Sequence, residues 1–124
     1  MKPRAVDFVS YCVTDMDRAE AFYRDVLGLQ VVTARGAPGT RASGFMEVEA
    51  GGTAISLTAL PETSPNAVVA LAVEDVGAAT EELRGKGVPI AMEPLETPDC
   101  FMAVVTDPDG NQIMLHQRKD GTAG

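Results

Sequence analysis

The sequence predicts an α+β fold built from two tandem βαβββ modules, and three observations carry that expectation. A strand-to-helix junction occurs twice, as Val13-Thr14-Asp15-Met16 and again as Val73-Glu74-Asp75-Val76. Each junction opens onto a helical face: Ala19, Phe22, Tyr23, Val26 and Leu27 in the first half, Val76, Ala79, Thr80 and Leu83 in the second. Near the end of each half stands a matching triplet, Ile55-Ser56-Leu57 and Ile113-Met114-Leu115, so the halves are weakly self-similar. One helix per half covers one sheet face, and the opposite faces must close around each other or around a ligand. The 124 residues are expected to form a single domain, with module 1 at about 4–60, a linker at 61–66, module 2 at about 67–118 and a tail at 119–124.

Taken in order, residues 6–13 form an apolar run that reads as a strand, with Phe8, Ser10 and Cys12 on one face and Val9, Tyr11 and Val13 on the other. Asp15 caps the next helix, Asp17 complements the dipole of its first turn, and Gly28 ends it. A strand is expected at 29–34, a mobile loop at 36–43, and strands at 44–49 and 53–60 joined by Gly51-Gly52. The second helix is expected at 76–85, closing near Gly85 and Gly87. Asp107-Pro108-Asp109-Gly110 reads as a turn, because Pro108 pre-sets φ and Gly110 tolerates a positive one. If Asp107 pairs with Gly110, Ala103 faces Met114 and Phe101 faces His116, while Met102 and Val104 lie on the other side with Ile113 and Leu115.

Composition excludes several functions. No apolar run approaches the roughly 18 residues that span a bilayer, so no membrane partner is expected. A net charge of −8 argues against nucleic acid, whose phosphates require Lys and Arg patches, and it suits a cationic small molecule or simply solubility. Met1-Lys2-Pro3-Arg4 is basic, but Asp7 interrupts the apolar stretch after it and no cleavage site appears, so no signal peptide is expected. Cys12 and Cys100 have no metal-type spacing, which points to a reduced, cytoplasmic protein.

The run Val6-Asp7-Phe8-Val9-Ser10-Tyr11-Cys12-Val13-Thr14-Asp15, the helix ending Phe22-Tyr23-Arg24-Asp25-Val26-Leu27-Gly28, and Asp107-Pro108-Asp109-Gly110-Asn111 resemble the vicinal-oxygen-chelate superfamily. That group holds glyoxalase I, the bleomycin-resistance proteins and the extradiol dioxygenases. The resemblance covers nearly the whole chain and implies a curved mixed sheet around a central cavity. It does not imply one activity, because the scaffold hosts many chemistries. The metal enzymes of the group place four ligands, typically His, Gln or Glu, at positions that here are Phe8, Ser56, Val68 and Met114. None of the four is a competent ligand for Zn, Fe, Mn or Ni, so neither metal nor other cofactor is expected.

Strand parity adds Ser10, Cys12, Ala54, Thr58, Ala70, Ala72, Phe101 and Ala103 to the same inward faces. The expected ligand-binding cavity is therefore lined by Phe8, Ser10, Cys12, Ser56, Thr58, Val68, Ala70, Phe101, Ala103, Met114 and His116. The plainer alternative is that Phe8, Phe101 and Met114 fill the space. His116, the only histidine, is the one candidate general base, and its plainer role is a rim histidine bonded to backbone. Cys100 is expected on the opposite parity, against a helix or an interface, and Cys12 is expected to be an inert thiol. Asp107 and Asp109 belong to the turn, and Glu47 and Glu49 are either a solvated strand face or a polar rim.

These observations leave two main functional expectations, and a third in which the sheet faces of an orphan domain serve only dimerisation. The missing ligand set favours a metal-independent binder of a small organic molecule, antibiotic or metabolite, as in the bleomycin-resistance branch, whose members pair as homodimers. The alternative is a lyase or isomerase of the glyoxalase class acting on a small carbonyl compound, with its metal absent or displaced to His116 and a glutamate. With 5% aromatic residues and no Trp, there is little to stack a large planar ring.

Overall fold

Alternation of apolar residues along the first strand is realised as β1 (Ala5–Val13), and the Asp15 carboxylate then accepts the Arg18 N–H at 3.1 Å to start α1 (Met16–Glu20). The computed structural model describes residues 1–32, 45–59 and 67–124. The remaining elements are β2 (Gln30–Val32), β3 (Phe45–Ala50), β4 (Thr53–Ala59), β5 (Ala67–Ala72), α2 (Val76–Gly85), β6 (Ile90–Glu96), β7 (Cys100–Thr106) and β8 (Gln112–Arg118). Each half thus runs β-α-β-β-β, as the repeat predicts. The far end of the strand expected to reach residue 34, the loop at 36–43 and the linker at 61–66 lie outside the described residues. No helix among those described is long and apolar enough to cross a membrane.

The chain divides into two compact units, Phe8–Ala67 on one side and Met1–Asp7 with Val68–Gly124 on the other. In the first unit the strands lie in the order β2-β3-β4-β1, with β1 and β4 parallel and the other pairs antiparallel. The second unit repeats that order as β6-β7-β8-β5, again with only β5 and β8 parallel. The lead-in to β1 belongs with the second unit, since the Arg4 N–H donates to the Ala72 carbonyl at 2.8 Å. In β6 the pairing with β7 shifts between Met92 and Leu95, around Pro94, which has no N–H to give a ladder.

Each sheet buries one face under its helix. In the first unit Met46, Val48 and Leu57 pack against Met16 and Ala19. In the second, Ala103, Val105 and Leu115 pack against Val76 and Ala79, with Leu83 and Phe101 at the edge. Thr80, wholly buried in α2, satisfies its hydroxyl by donating to the Val76 carbonyl at 2.7 Å.

The structure corrects two expectations. The first helix does not keep one α-helical face to residue 27. After Glu20 it widens into a π-helical segment, Ala21–Val26, in which the Leu27 N–H reaches back five residues to the Phe22 carbonyl. The wider turn rotates later residues away from the sheet. Tyr23 stays against the core, but Phe22, Val26 and Leu27 are 48%, 70% and 52% exposed.

The second correction concerns the β7–β8 register. Asn111 belongs to the turn: its N–H donates to Asp107 Oδ1 at 2.8 Å, its side-chain amide to Oδ2 at 2.9 Å, and its carbonyl accepts the Asp107 N–H. The strands therefore close at Thr106 and Gln112, and Phe101 faces Gln117, Ala103 faces Leu115 and Met102 faces His116. A one-residue slip exchanges the faces. Phe101 and Ala103 lie under α2 rather than on the helix-free face, and Met102, Val104 and Cys100 take the opposite parity.

Candidate functional site

The helix-free face of the second unit is set by register. Ala70 and Val104 both pair with Met114, and Ala72 and Met102 both pair with His116, so these six side chains share one side of the sheet. Val68 joins them by parity. Ala70 and Ala72 are small and buried, Val104 and His116 are buried, and Met102 and Met114 are half-buried. Of the residues expected to bind ligand, the structure brings Val68, Ala70, Met114 and His116 together here and removes Phe101 and Ala103.

On the first unit Ser10 pairs with Ser56 and Cys12 with Thr58, and Glu47 lies across from Ser56 and Glu49 from Ala54. These residues, with Phe8 by parity, make a face more polar than its counterpart, so the two glutamates sit on the helix-free side. Cys12 also borders a cleft of about 390 Å³ that it shares with Thr14, Asp15, Arg18, Phe22 and Tyr23. The Phe22 and Tyr23 rings meet edge to face at 5.4 Å, and burial, reinforced by Tyr11, pushes the Tyr23 phenol above its ordinary pKa.

His116 has a partner that sequence reading missed. Its Nδ1 lies 2.6 Å from Oδ2 of Asp7, whose side chain is wholly buried. The other oxygen of that carboxylate accepts the Gly124 N–H at 2.7 Å and faces Arg118 Nη1 at 3.4 Å. A buried carboxylate is tolerated only with such partners, and this one has three. An ionised carboxylate accepts only, so the Nδ1 side of the ring donates to Asp7. The available signal was an acidic residue interrupting the apolar run of β1. The pairing itself spans 109 positions.

At the four positions where the resemblance implies metal ligands, the donor chemistry does not fit a divalent transition metal. Phe8 offers no donor, Val68 none, Met114 a thioether and Ser56 a neutral hydroxyl. Among the described residues no three His, Cys, Asp or Glu side chains are grouped to hold an ion.

Residues 5–115 match the family model of the Glyoxalase/Bleomycin resistance protein/Dioxygenase superfamily. The chain belongs to that superfamily. Among solved structures it is similar to the methylmalonyl-CoA epimerase of Mycobacterium tuberculosis, at 22% identity and TM-score 0.71, covering 94% of this chain and 89% of that one. Hypothetical protein BH1468 of Bacillus halodurans C-125 gives the same TM-score, 0.71, at 16% identity, with 96% and 97% covered. The Mn(II)-bound glyoxalase of Novosphingobium aromaticivorans is 26% identical with TM-score 0.68. That match takes in 99% of this chain but 41% of the glyoxalase, so this chain spans less than half its length. No protein of curated function matches in sequence. The superfamily accounts for the repeated module, and its other members do not share one reaction.

Proposed function

We propose that this superfamily member binds a small organic molecule without the metal its enzymatic relatives use, as the bleomycin-resistance branch does. The observation that carries the reading is the donor set: Phe8, Ser56, Val68 and Met114 stand where the family resemblance implies the four metal ligands. The helix-free face of the second unit supports it, being apolar around Ala70, Ala72, Met102 and Met114, with His116 the polar group beside them and Gln112 and Arg118 towards its ends. The charge of −8 suits a cationic guest. The proposal extends to a homodimer located in the cytoplasm, and light scattering that finds one chain per particle would remove the dimer from it.

A thermal-shift screen of antibiotics and small carbonyl compounds, run beside titrations with Zn, Ni and Mn, tests this reading. A ligand should raise the melting temperature in a concentration-dependent way, and the metals should bind without defined stoichiometry. Ala70→Phe should abolish the ligand shift. One metal ion held tightly per chain, or an unchanged ligand shift in Ala70→Phe, would count against the proposal.

The His116–Asp7 pair favours a second reading. An imidazole oriented by a buried carboxylate is equipped to move a proton to or from a bound carbonyl compound, as a lyase or isomerase requires. His116→Gln separates the two. A binder keeps most of its ligand shift, whereas an enzyme loses turnover while still binding.

A further inference from the structure

At the end of β8 the second unit carries a polar cleft of about 600 Å³, lined among others by Arg4, Glu74, Gln117, Arg118, Lys119 and Gly121. None of these residues is among those assigned to the organic ligand, and the link between the two regions is Asp7, which meets both His116 and Arg118. Its cations come from two segments, the lead-in to β1 and the end of β8, in a chain whose overall charge is −8.

The guanidinium groups are placed but not spent. Arg4 Nη2 donates to the Gly121 carbonyl at 3.2 Å, and its Nη1 and Nε have no partner among the described residues. Arg118 makes two long contacts through Nη1, at 3.4 Å to the Gly124 main-chain oxygen and 3.4 Å to Asp7 Oδ1. Its Nη2 and Nε have no partner among the described residues, and its side chain is 23% exposed. The wholly buried Asp7 carboxylate therefore acts as a backstop that orients a half-buried guanidinium. The Gln117 side-chain carbonyl accepts the Val76 N–H at 2.9 Å, and its amide NH₂ has no partner among the described residues. Lys119 supplies charge rather than contact, because its ammonium pairs with Glu96 at 2.5 Å and lies 5.1 Å from the Phe101 ring centroid. Glu74 is the acidic member of the lining.

We propose that this cleft binds a small oxyanion, a phosphate or a carboxylate group, between the Arg4 and Arg118 guanidinium groups. Planar forks of N–H donors match both anions, and charge-assisted hydrogen bonds are the stronger kind. Glu74 limits affinity by repelling the same charge.

Calorimetric titration with inorganic phosphate and, separately, with succinate at constant ionic strength tests the site in the full chain. Wild type should bind at least one of them saturably at one per chain, and which of the two binds names the class. Arg4→Gln removes an exposed side chain and should leave the melting temperature unchanged without anion while weakening binding about tenfold. Glu74→Gln should tighten binding, and Lys86→Gln, outside the cleft, should leave it unchanged. Absence of saturable binding of either anion to wild type, or equal affinity in Arg4→Gln and wild type, would overturn the proposal.

Discussion

The two modules share one topology and differ in how each is held and what its open face offers. In the second, α2 runs ten residues and packs through Val76, Ala79 and Leu83, whereas in the first, α1 gives way to a π-helical segment that turns Phe22, Val26 and Leu27 outward. The triplets Ile55-Ser56-Leu57 and Ile113-Met114-Leu115 occupy equivalent strands, and the residues after them, Thr58 and His116, diverge. His116 is pinned by the buried Asp7, and Thr58 faces Cys12 on a more polar sheet. A duplicated framework conserves the positions that fill the space beneath each helix. The opposite faces are free to take different chemistry.

The largest expected effect tests the ionic pin. Asp7→Ala takes the buried carboxylate away from His116, Arg118 and the Gly124 N–H, and urea denaturation should show a loss of about 3–5 kcal/mol, whereas Thr58→Val should stay within about 0.5 kcal/mol. A loss below about 1 kcal/mol for Asp7→Ala would erase this difference between the modules.

The next pair probes what the modules share. Leu57 and Leu115 are both fully buried beneath their helices, and replacing either with Ala should cost about 2–5 kcal/mol in the same denaturation experiment. A near-neutral Leu57→Ala would show that the short first helix does not seal its core.

The helices themselves should respond unequally. Leu83→Ala removes a half-buried contact and should lower stability by about 1–2 kcal/mol. Leu27→Ala, at a position 52% exposed, should change it by less than about 0.5 kcal/mol. Equal losses would mean that the π-helical segment packs as tightly as α2.

The smallest effect lies in the turns. Asn111, through its side-chain amide and then its N–H, holds the Asp107 carboxyl below its ordinary pKa, with further help from the Asp109 and Gly110 backbone. A carboxyl lowered by folding adds stability above its unfolded pKa of about 3.9 and loses that contribution as the pH falls through the lower, folded value. An NMR titration should find Asp107 titrating below an ordinary aspartate, and Asn111→Ala should bring it back up. The Gly51-Gly52 hairpin of the first module carries no such carboxylate. Its glycines, at φ 59° and 87°, make the two-residue turn by backbone freedom alone.

Much of the framework was legible because its signals are local. Asp15 caps the first helix as its position implies, Val76–Gly85 is the second helix to the residue, and Gly51-Gly52 closes its hairpin between Ala50 and Thr53. The candidate site was legible in part. Val68, Ala70, Met114 and His116 do share a face, since parity within β5 and β8 needs no knowledge of the turn. Phe101 and Ala103 were misplaced because their parity was counted across a loop taken as four residues, with Asn111 left to the strand.

By itself the sequence determined the order of the elements, the helix starts, the repeat, and the absence of competent donors at Phe8, Ser56, Val68 and Met114. Periodicity, capping and side-chain chemistry act over a few residues and can be read along the chain. Tertiary structure alone decided the register of β7 on β8, the outward rotation after Glu20, the burial of Asp7 against His116 and the gathering of Arg4 with Arg118. Each of these depends on which distant groups meet once the strands have paired, and a buried charge or a turn hydrogen bond is resolved only when its partner arrives.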